Sequence, residues 1–251
     1  MKKKKLLSII FSCALILVSS GCANNLLNNN QSINKEDYNT FDGYIVEGTT
    51  NETTTKETTV PFHDEDKYMY ATENLNLRSD YNTNSDILDE IDKFEKVKLI
   101  KTNNTWSYVS YNNNENGYVS NDYLGELGNT FVEVDISDQK LYLYVDNNLD
   151  YTADVVTGKK GVYDTRLGCN PIYEMDNTGR LLKGPGYEDG VYVKRWMPFD
   201  GGIGLHDASW RTNFGSDAYI NGSHGCVNMK FEDVDYVYDN VKVGTKVLVH
   251  N

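Results

Sequence analysis

Cysteine is scarce in this chain, four residues in 251, and two of them, Cys13 and Cys22, fall near the amino terminus. Only Cys169 and Cys226 are left for a folded part, too few for the disulfide framework of a small secreted scaffold. Positive charge is also short: 24 Lys and Arg face 37 Asp and Glu, for a formal net charge of −13. A chain this acidic repels phosphate backbones, which argues against nucleic acid as a partner. Anionic lipid would repel it too, so any membrane attachment must be covalent or hydrophobic. No apolar run reaches the roughly 20 residues of a transmembrane helix. Proline is rare, at four residues, and neither an internal repeat nor a heptad pattern is found.

What the sequence does have is tyrosine, 19 residues of it. Aromatic side chains suit a half-buried pleated surface, so with little proline a mostly β fold is predicted. Residues 1–21 read as an address and not as structure. Lys2 to Lys5 form a positive head, and Leu6 to Val18 form an apolar run within the roughly 7–15 residues of a signal sequence. Ser19-Ser20-Gly21-Cys22 then resembles a bacterial lipobox, with Ser19 where that pattern prefers Leu. The resemblance implies that Cys22 is diacylated and becomes the first residue of an exported, membrane-anchored protein facing the cell wall. Without residues 1–21 the net charge becomes −17. Residues 22–65 are dominated by Asn, Thr, Glu and Asp, with too few apolar groups to offset the entropy of ordering. They are predicted to be a flexible tether, with one short strand at Tyr44-Ile45-Val46.

Residues 66–126 change character. Short apolar stretches recur at Leu75-Asn76-Leu77, Ile87-Leu88, Val97 to Ile100, Trp106 to Val109 and Gly117-Tyr118-Val119. Asn, Asp, Ser and Gly separate them, the pattern of a small all-β barrel. Leu75 to Ser79, Trp106, Gly117-Tyr118-Val119 and Tyr123-Leu124 together resemble the bacterial SH3 domain. That resemblance implies a module that docks envelope enzymes onto peptidoglycan. Residues 129–251 form a second unit. Leu141, Leu143 and Val145 alternate with Tyr142 and Tyr144, the period of two that puts one set on each face of a sheet. Val234, Val237, Tyr238 and Val241 recur at helical spacing, so a helix is expected to pack on that sheet. Gly244 ends it, and Lys246 to Val249 reads as a closing strand.

The chemistry concentrates between Trp196 and Met229. Cys226 follows His224 and Gly225, and glycine there permits backbone angles closed to other residues. A tight turn at these positions can aim the amides of His224, Gly225 and Cys226 at one point, an oxyanion hole. His206 ends an apolar strand, Ile203 to Leu205, from which a sheet could bring it beside Cys226 as the general base. Ser223 could position a substrate carbonyl or close the turn. Trp210 could pack under His206 or line the pocket, and Tyr173 or Tyr187 could donate a phenol to the oxyanion. Cys169 reads as a buried small hydrophobe.

Trp196 to Phe199, Gly202 to Asp207 and Ser223-His224-Gly225-Cys226-Val227-Asn228 together resemble the L,D-transpeptidase catalytic domain, the YkuD domain, over roughly residues 130–250. Asp164-Thr165-Arg166-Leu167-Gly168 is similar to the family's Thr-Pro-x-Gly motif, with Arg166 replacing Pro. Asn228 stands where the family motif often has Arg. The resemblance implies Cys226 as nucleophile, His206 as base and proton donor, and Asp207 orienting the imidazole through its backbone carbonyl, with the Asp207 carboxylate as the alternative third member of a triad. It places Trp196 and Met197 along the donor groove, whereas as bare sequence both read equally as core, and it makes Ser223, Asn228, Trp210 and Tyr187 further substrate contacts. No cofactor is implied. The implied substrates are peptidoglycan stem peptides: a tetrapeptide donor, and an acceptor that attacks through the side-chain amine of a diamino acid. The product is a 3-3 cross-link, and carbapenems are implied to acylate Cys226.

Other readings remain. Hydrolysis in place of transfer would make an L,D-carboxypeptidase or another Cys peptidase of wall peptides. A third reading is a non-catalytic wall-binding lipoprotein served by the SH3-like unit alone. A zinc site built on His206, His224 and Cys226 fits poorly, since His224 and Cys226 are separated by a single residue. The His-before-Cys order differs from that of NlpC/P60 peptidases, and the Thr-x-Thr-Cys strand of sortases is missing.

Overall fold

The computed structural model describes residues 60–112, 115–184, 187–215 and 220–251. The leader, Cys22 and the strand expected at Tyr44-Ile45-Val46 lie outside the described residues. The described residues fall within one compact unit, Lys56–Asn251, made of two β lobes.

The first lobe contains β1 (His63–Ala71), β2 (Leu75–Arg78), β3 (Ile87–Ile91), β4 (Lys96–Thr102), β5 (Trp106–Tyr111), β6 (Glu115–Ser120) and β7 (Leu124–Glu126). They make one sheet in the order β3-β2-β6-β5-β4-β1-β7, antiparallel at every pairing. The alternation Lys96-Val97-Lys98-Leu99 shows why: successive side chains point to opposite faces, so Val97 and Leu99 enter the core with Leu77, Ile91, Val109 and Val119. Gly117 lets β6 cross closely over β2, because a Cβ there would meet the Leu77 side chain at 2.8 Å. Every apolar stretch expected between Leu75 and Val119 is a strand. The lobe also reaches back into the expected tether, since β1 begins at His63. Its polar start carries no apolar signal; it is held by backbone pairing with β4 and by the Lys98–Asp66 ion pair.

The second lobe has β8 (Phe131–Asp135), β9 (Lys140–Val145), β10 (Asn148–Asp154), β11 (Gly168–Pro171), β12 (Arg180–Gly184), β13 (Tyr187–Val193), β14 (Trp196–Asp200), β15 (Ile203–Asp207), β16 (Val227–Met229), α1 (Phe231–Asn240) and β17 (Lys246–His250). One sheet runs β10-β9-β8-β17-β11, another runs β14-β15-β16, and β12-β13 is a separate ribbon. The helix buries Val234 and Val237, which join Leu141, Leu143, Leu205, Val227 and Met229 in the core.

The two lobes share a joint. The alternation in β9 predicted two different faces, yet Tyr144 is buried like Leu141 and Leu143, at 5% exposed. The first lobe covers that face: the Tyr68 ring lies 4.9 Å from Tyr144. Leu127, Phe131 and Leu248 complete the contact, with Tyr70, Phe94 and Cys169 packed against them. Cys169 is free and partly buried; burial raises its thiol pKa, as expected of a small hydrophobe beside Tyr70.

Candidate active site

Two strands bring the chemistry together. β15 and β16 run parallel, pairing Leu205 with Val227 and His206 with Asn228. The chain between them is looped out and returns through Ser223-His224-Gly225-Cys226 just before β16. Backbone bonds pin that turn to residues 156–159: Ser223 N to Thr157 O, Lys159 N to Ser223 O, and Asn228 to Val156 in both directions, all 2.9 Å. Thr165 adds a buried pin, donating to the Gly225 carbonyl at 2.7 Å and accepting from Gly158 N at 2.8 Å. Gly225 has φ +111, a conformation that side chains strongly disfavour.

His206 and Cys226 line one cavity of about 210 Å³. The imidazole sits between Trp196, with ring centroids 5.9 Å apart, and Trp210, at 6.0 Å. Its Nδ1 lies 2.8 Å from the Asp207 carbonyl, which selects the tautomer with the proton on Nδ1 and leaves Nε2 as the basic atom. The Asp207 carboxylate is used elsewhere, accepting from the amides of Lys194 at 2.7 Å and Arg195 at 2.9 Å. Burial holds the His206 pKa below the usual histidine value, so the ring is a neutral base at neutral pH.

Cys226 is a neutral thiol in this arrangement. Burial pushes its pKa up to about 11, although the Gly204 amide acts in the opposite direction. Its Sγ donates to the Gly202 carbonyl at 3.6 Å, and no hydrogen bond joins it to His206 among the described residues. The resting pair is therefore thiol and imidazole, not thiolate and imidazolium.

Several expected roles change. Met197 is fully buried in the core and cannot line a groove, because its side chain takes the inward face of β14. Trp196 is 6% exposed and packs behind His206, its partner in the β14–β15 register, away from the cavity. Gly225 does not offer its amide to an oxyanion: that N–H donates to Ser223 Oγ at 3.0 Å. Ser223 in turn donates to the Cys226 carbonyl, so its hydroxyl closes the turn. The Tyr173 hydroxyl donates to the Gly201 carbonyl, outside the cavity. Tyr187 does line it, its phenol pKa raised by burial and by the nearby Cys226 sulfur. His224 is exposed, and its ring packs between Tyr163 at 4.3 Å and Tyr187 at 4.9 Å. Trp210 and Asn228 also line the cavity.

Some lining residues gave no sequence signal. Leu182 and Val191 reach the cavity from the β12–β13 ribbon, and Arg211 from the looped-out segment. Thr165 was visible as part of a motif, but its role as a pin was not. Among the described residues no group of three His, Cys, Asp or Glu side chains is placed to hold a metal ion.

Residues 129–249 match the family model of the L,D-transpeptidase catalytic domain, YkuD. The chain carries an L,D-transpeptidase catalytic domain. Residues 73–125 match the bacterial SH3 domain, so the first lobe is an SH3 unit preceding the L,D-transpeptidase domain. Two Bacillus subtilis (strain 168) proteins with L,D-transpeptidase in their names are similar to it. YciB is 25% identical over 47% of this chain and 64% of its own length. YqjB is 27% identical over 49% of this chain and 72% of its own. The chain thus spans just under two thirds of the first of these relatives. The catalytic domain of an Enterococcus faecium L,D-transpeptidase, solved by NMR, is 32% identical over 50% of this chain and 100% of that one, with a TM-score of 0.43.

Proposed function

We propose that this chain is a peptidoglycan L,D-transpeptidase that forms 3-3 cross-links through an acyl-enzyme on Cys226. The reading is carried by one observation: His206 and Cys226 line a common cavity, and the Asp207 carbonyl holds His206 Nδ1 at 2.8 Å, which leaves Nε2 for proton transfer. Cys226 Sγ attacks the carbonyl carbon of the third stem residue as its proton passes to His206. The C–N bond to the terminal D-Ala breaks, and the departing nitrogen takes that proton. The side-chain amine of a diamino acid on a neighbouring stem then attacks the thioester. Its proton returns through His206 to the sulfur as the C–S bond breaks. The cleaved amide supplies the energy for the new one, so no ATP enters.

With the Gly225 amide engaged, the oxyanion falls to the amides of His224 and Cys226 and to the Tyr187 phenol. In this reading Cys22 carries lipid, the enzyme faces the wall from the membrane, and the SH3 unit holds it on peptidoglycan.

The test is Cys226→Ala incubated with disaccharide-tetrapeptide, with products read by mass spectrometry. Loss of both cross-linked dimer and released D-Ala is expected; full retention would remove Cys226 as nucleophile. The native chain should give dimer, whereas tripeptide alone would mean hydrolysis. Metabolic lipid labelling checks the anchor, and an unlabelled, soluble mature protein would sink it.

A further inference from the structure

The proposed reaction leaves one charged group of the cavity unused. Arg211 follows Trp210 and lines the cavity, where it is the one permanently charged side chain among the described lining residues. Its Nη1 donates to the Asn221 carbonyl at 2.9 Å, which fixes one arm of the guanidinium fork. Its Nε is buried and has no acceptor among the described residues. Burial also lowers its pKa, the mark of a cation that has lost water without gaining a counter-charge. In the same cavity Asn228 is 2% exposed, and its carboxamide oxygen is likewise buried without a partner among the described residues. Leaving such groups unsatisfied is costly, so an unpaired donor and an unpaired acceptor on two residues that line one cavity point to a ligand that satisfies both.

We infer that Arg211 receives the free carboxylate at the C-terminal end of the donor stem, while Asn228 accepts an N–H from the donor backbone. The inference rests on the transpeptidase reading above. In that reaction the departing residue carries its amine and its carboxylate on the same carbon. The carboxylate receptor must therefore sit within one residue's length of the atom that delivers the proton. Arg211 is close enough to His206 for its charge to disfavour the imidazolium. A carboxylate bound between them would relieve that repulsion, so His206 takes the thiol proton more readily when a donor with a free carboxylate is bound. A planar guanidinium presents its donors in a fork that matches a carboxylate, which gives Arg211 a reason to be Arg and not Lys.

The experiment uses the full chain and two donors: disaccharide-tetrapeptide ending in D-Ala, and the same compound ending in D-alaninamide. The native chain is expected to favour the acid over the amide in kcat/KM by at least about tenfold, the size of one hydrogen-bonded charge pair. Arg211→Gln is expected to bring that ratio to within about twofold of unity, chiefly by losing rate on the acid. The ratio of the two donors within one preparation does not depend on the fraction folded, and the melting temperature of Arg211→Gln is the folding control. Arg211→Lys keeps the charge without the fork and should fall between. An undiminished preference for the acid in Arg211→Gln would overturn the subsite and leave the reaction standing. Failure of the native chain to use either donor would overturn both.

Discussion

His206 and His250 are both buried, 3% and 6% exposed, and the protein drives their protonation in opposite directions. At His206 the partner is the Asp207 carbonyl, a dipole without net charge; burial wins and the pKa falls. At His250 the partners are two carboxylates, Glu133 at 2.9 Å and Glu95 at 3.2 Å. Burial lowers its pKa there too, but the carboxylates overcome it and raise the value to about 10. Glu133 also pairs with Lys96 of the SH3 lobe. Burial alone would raise its pKa, yet His250 and Lys96 hold it below the ordinary carboxylate value. The cavity and the joint thus use one residue type in two states: a neutral ring that lines the cavity, and a charged ring that holds two lobes together. The deciding variable is the charge on the buried acceptor, not depth.

The largest effect should separate these roles outright. His206→Gln is expected to lower donor turnover by about 10²–10⁴-fold, the usual size of acid–base assistance, with little change in denaturant midpoint. Equal loss of stability would show that His206 is structural as well. At the joint, Glu133→Ala strands His250 and Lys96 without their shared carboxylate. It should cost about 3–5 kcal/mol of unfolding free energy in urea titrations, and a loss under about 1 kcal/mol would mean that the aromatic contact alone holds the lobes.

Alkylation of Cys226 by iodoacetamide, followed by peptide mass mapping, probes the cavity from the thiol side. With its pKa pushed to about 11, the rate should keep rising with pH through about 10, because only thiolate reacts. Saturation near neutrality would mean that a thiolate–imidazolium pair exists at rest.

The smallest effect is in stability against pH. His250 has a folded pKa raised above its unfolded one, so its contribution is complete below about pH 6.5 and is lost as pH rises toward about 10. His206 has the reverse sign: its folded pKa is depressed, so acid below about pH 6.5 favours the unfolded chain. Melting temperatures measured across this range should decline on the alkaline side, and His250→Asn should flatten that decline.

Much of this architecture was readable beforehand because it rests on periodicity. The strands of the SH3 lobe alternate in β4 and β5, and α1 shows its apolar face through Val234 and Val237. The turn at Cys226 was readable because glycine, serine and histidine crowd around one cysteine. What could not be read is the destination of a donor or acceptor when two are in reach. Nothing local says that the Gly225 amide goes to Ser223 Oγ, or that Trp196 turns behind His206. The joint was hidden for a related reason: β9 shows an ordinary two-faced pattern, and only the neighbouring lobe decides that Tyr144 is covered. Arg211, after β15, and Leu182 and Val191, on the separate β12–β13 ribbon, line the cavity of Cys226 from parts of the chain whose sequence does not tie them to it.

The position of β17 has a consequence for how the molecule is assembled. It lies between β8 and β11 in its sheet, and its register with β8 joins Lys246 to Phe131. Until that late segment arrives, β8 and β11 each present an open edge, and His250 cannot bridge to Glu95 and Glu133. Contacts separated so widely along a chain close slowly, and unpaired edges are prone to pair with other chains. The second lobe must therefore wait for β17, and a chain shortened by those few residues would lose an inner strand of its sheet together with the clasp between its lobes.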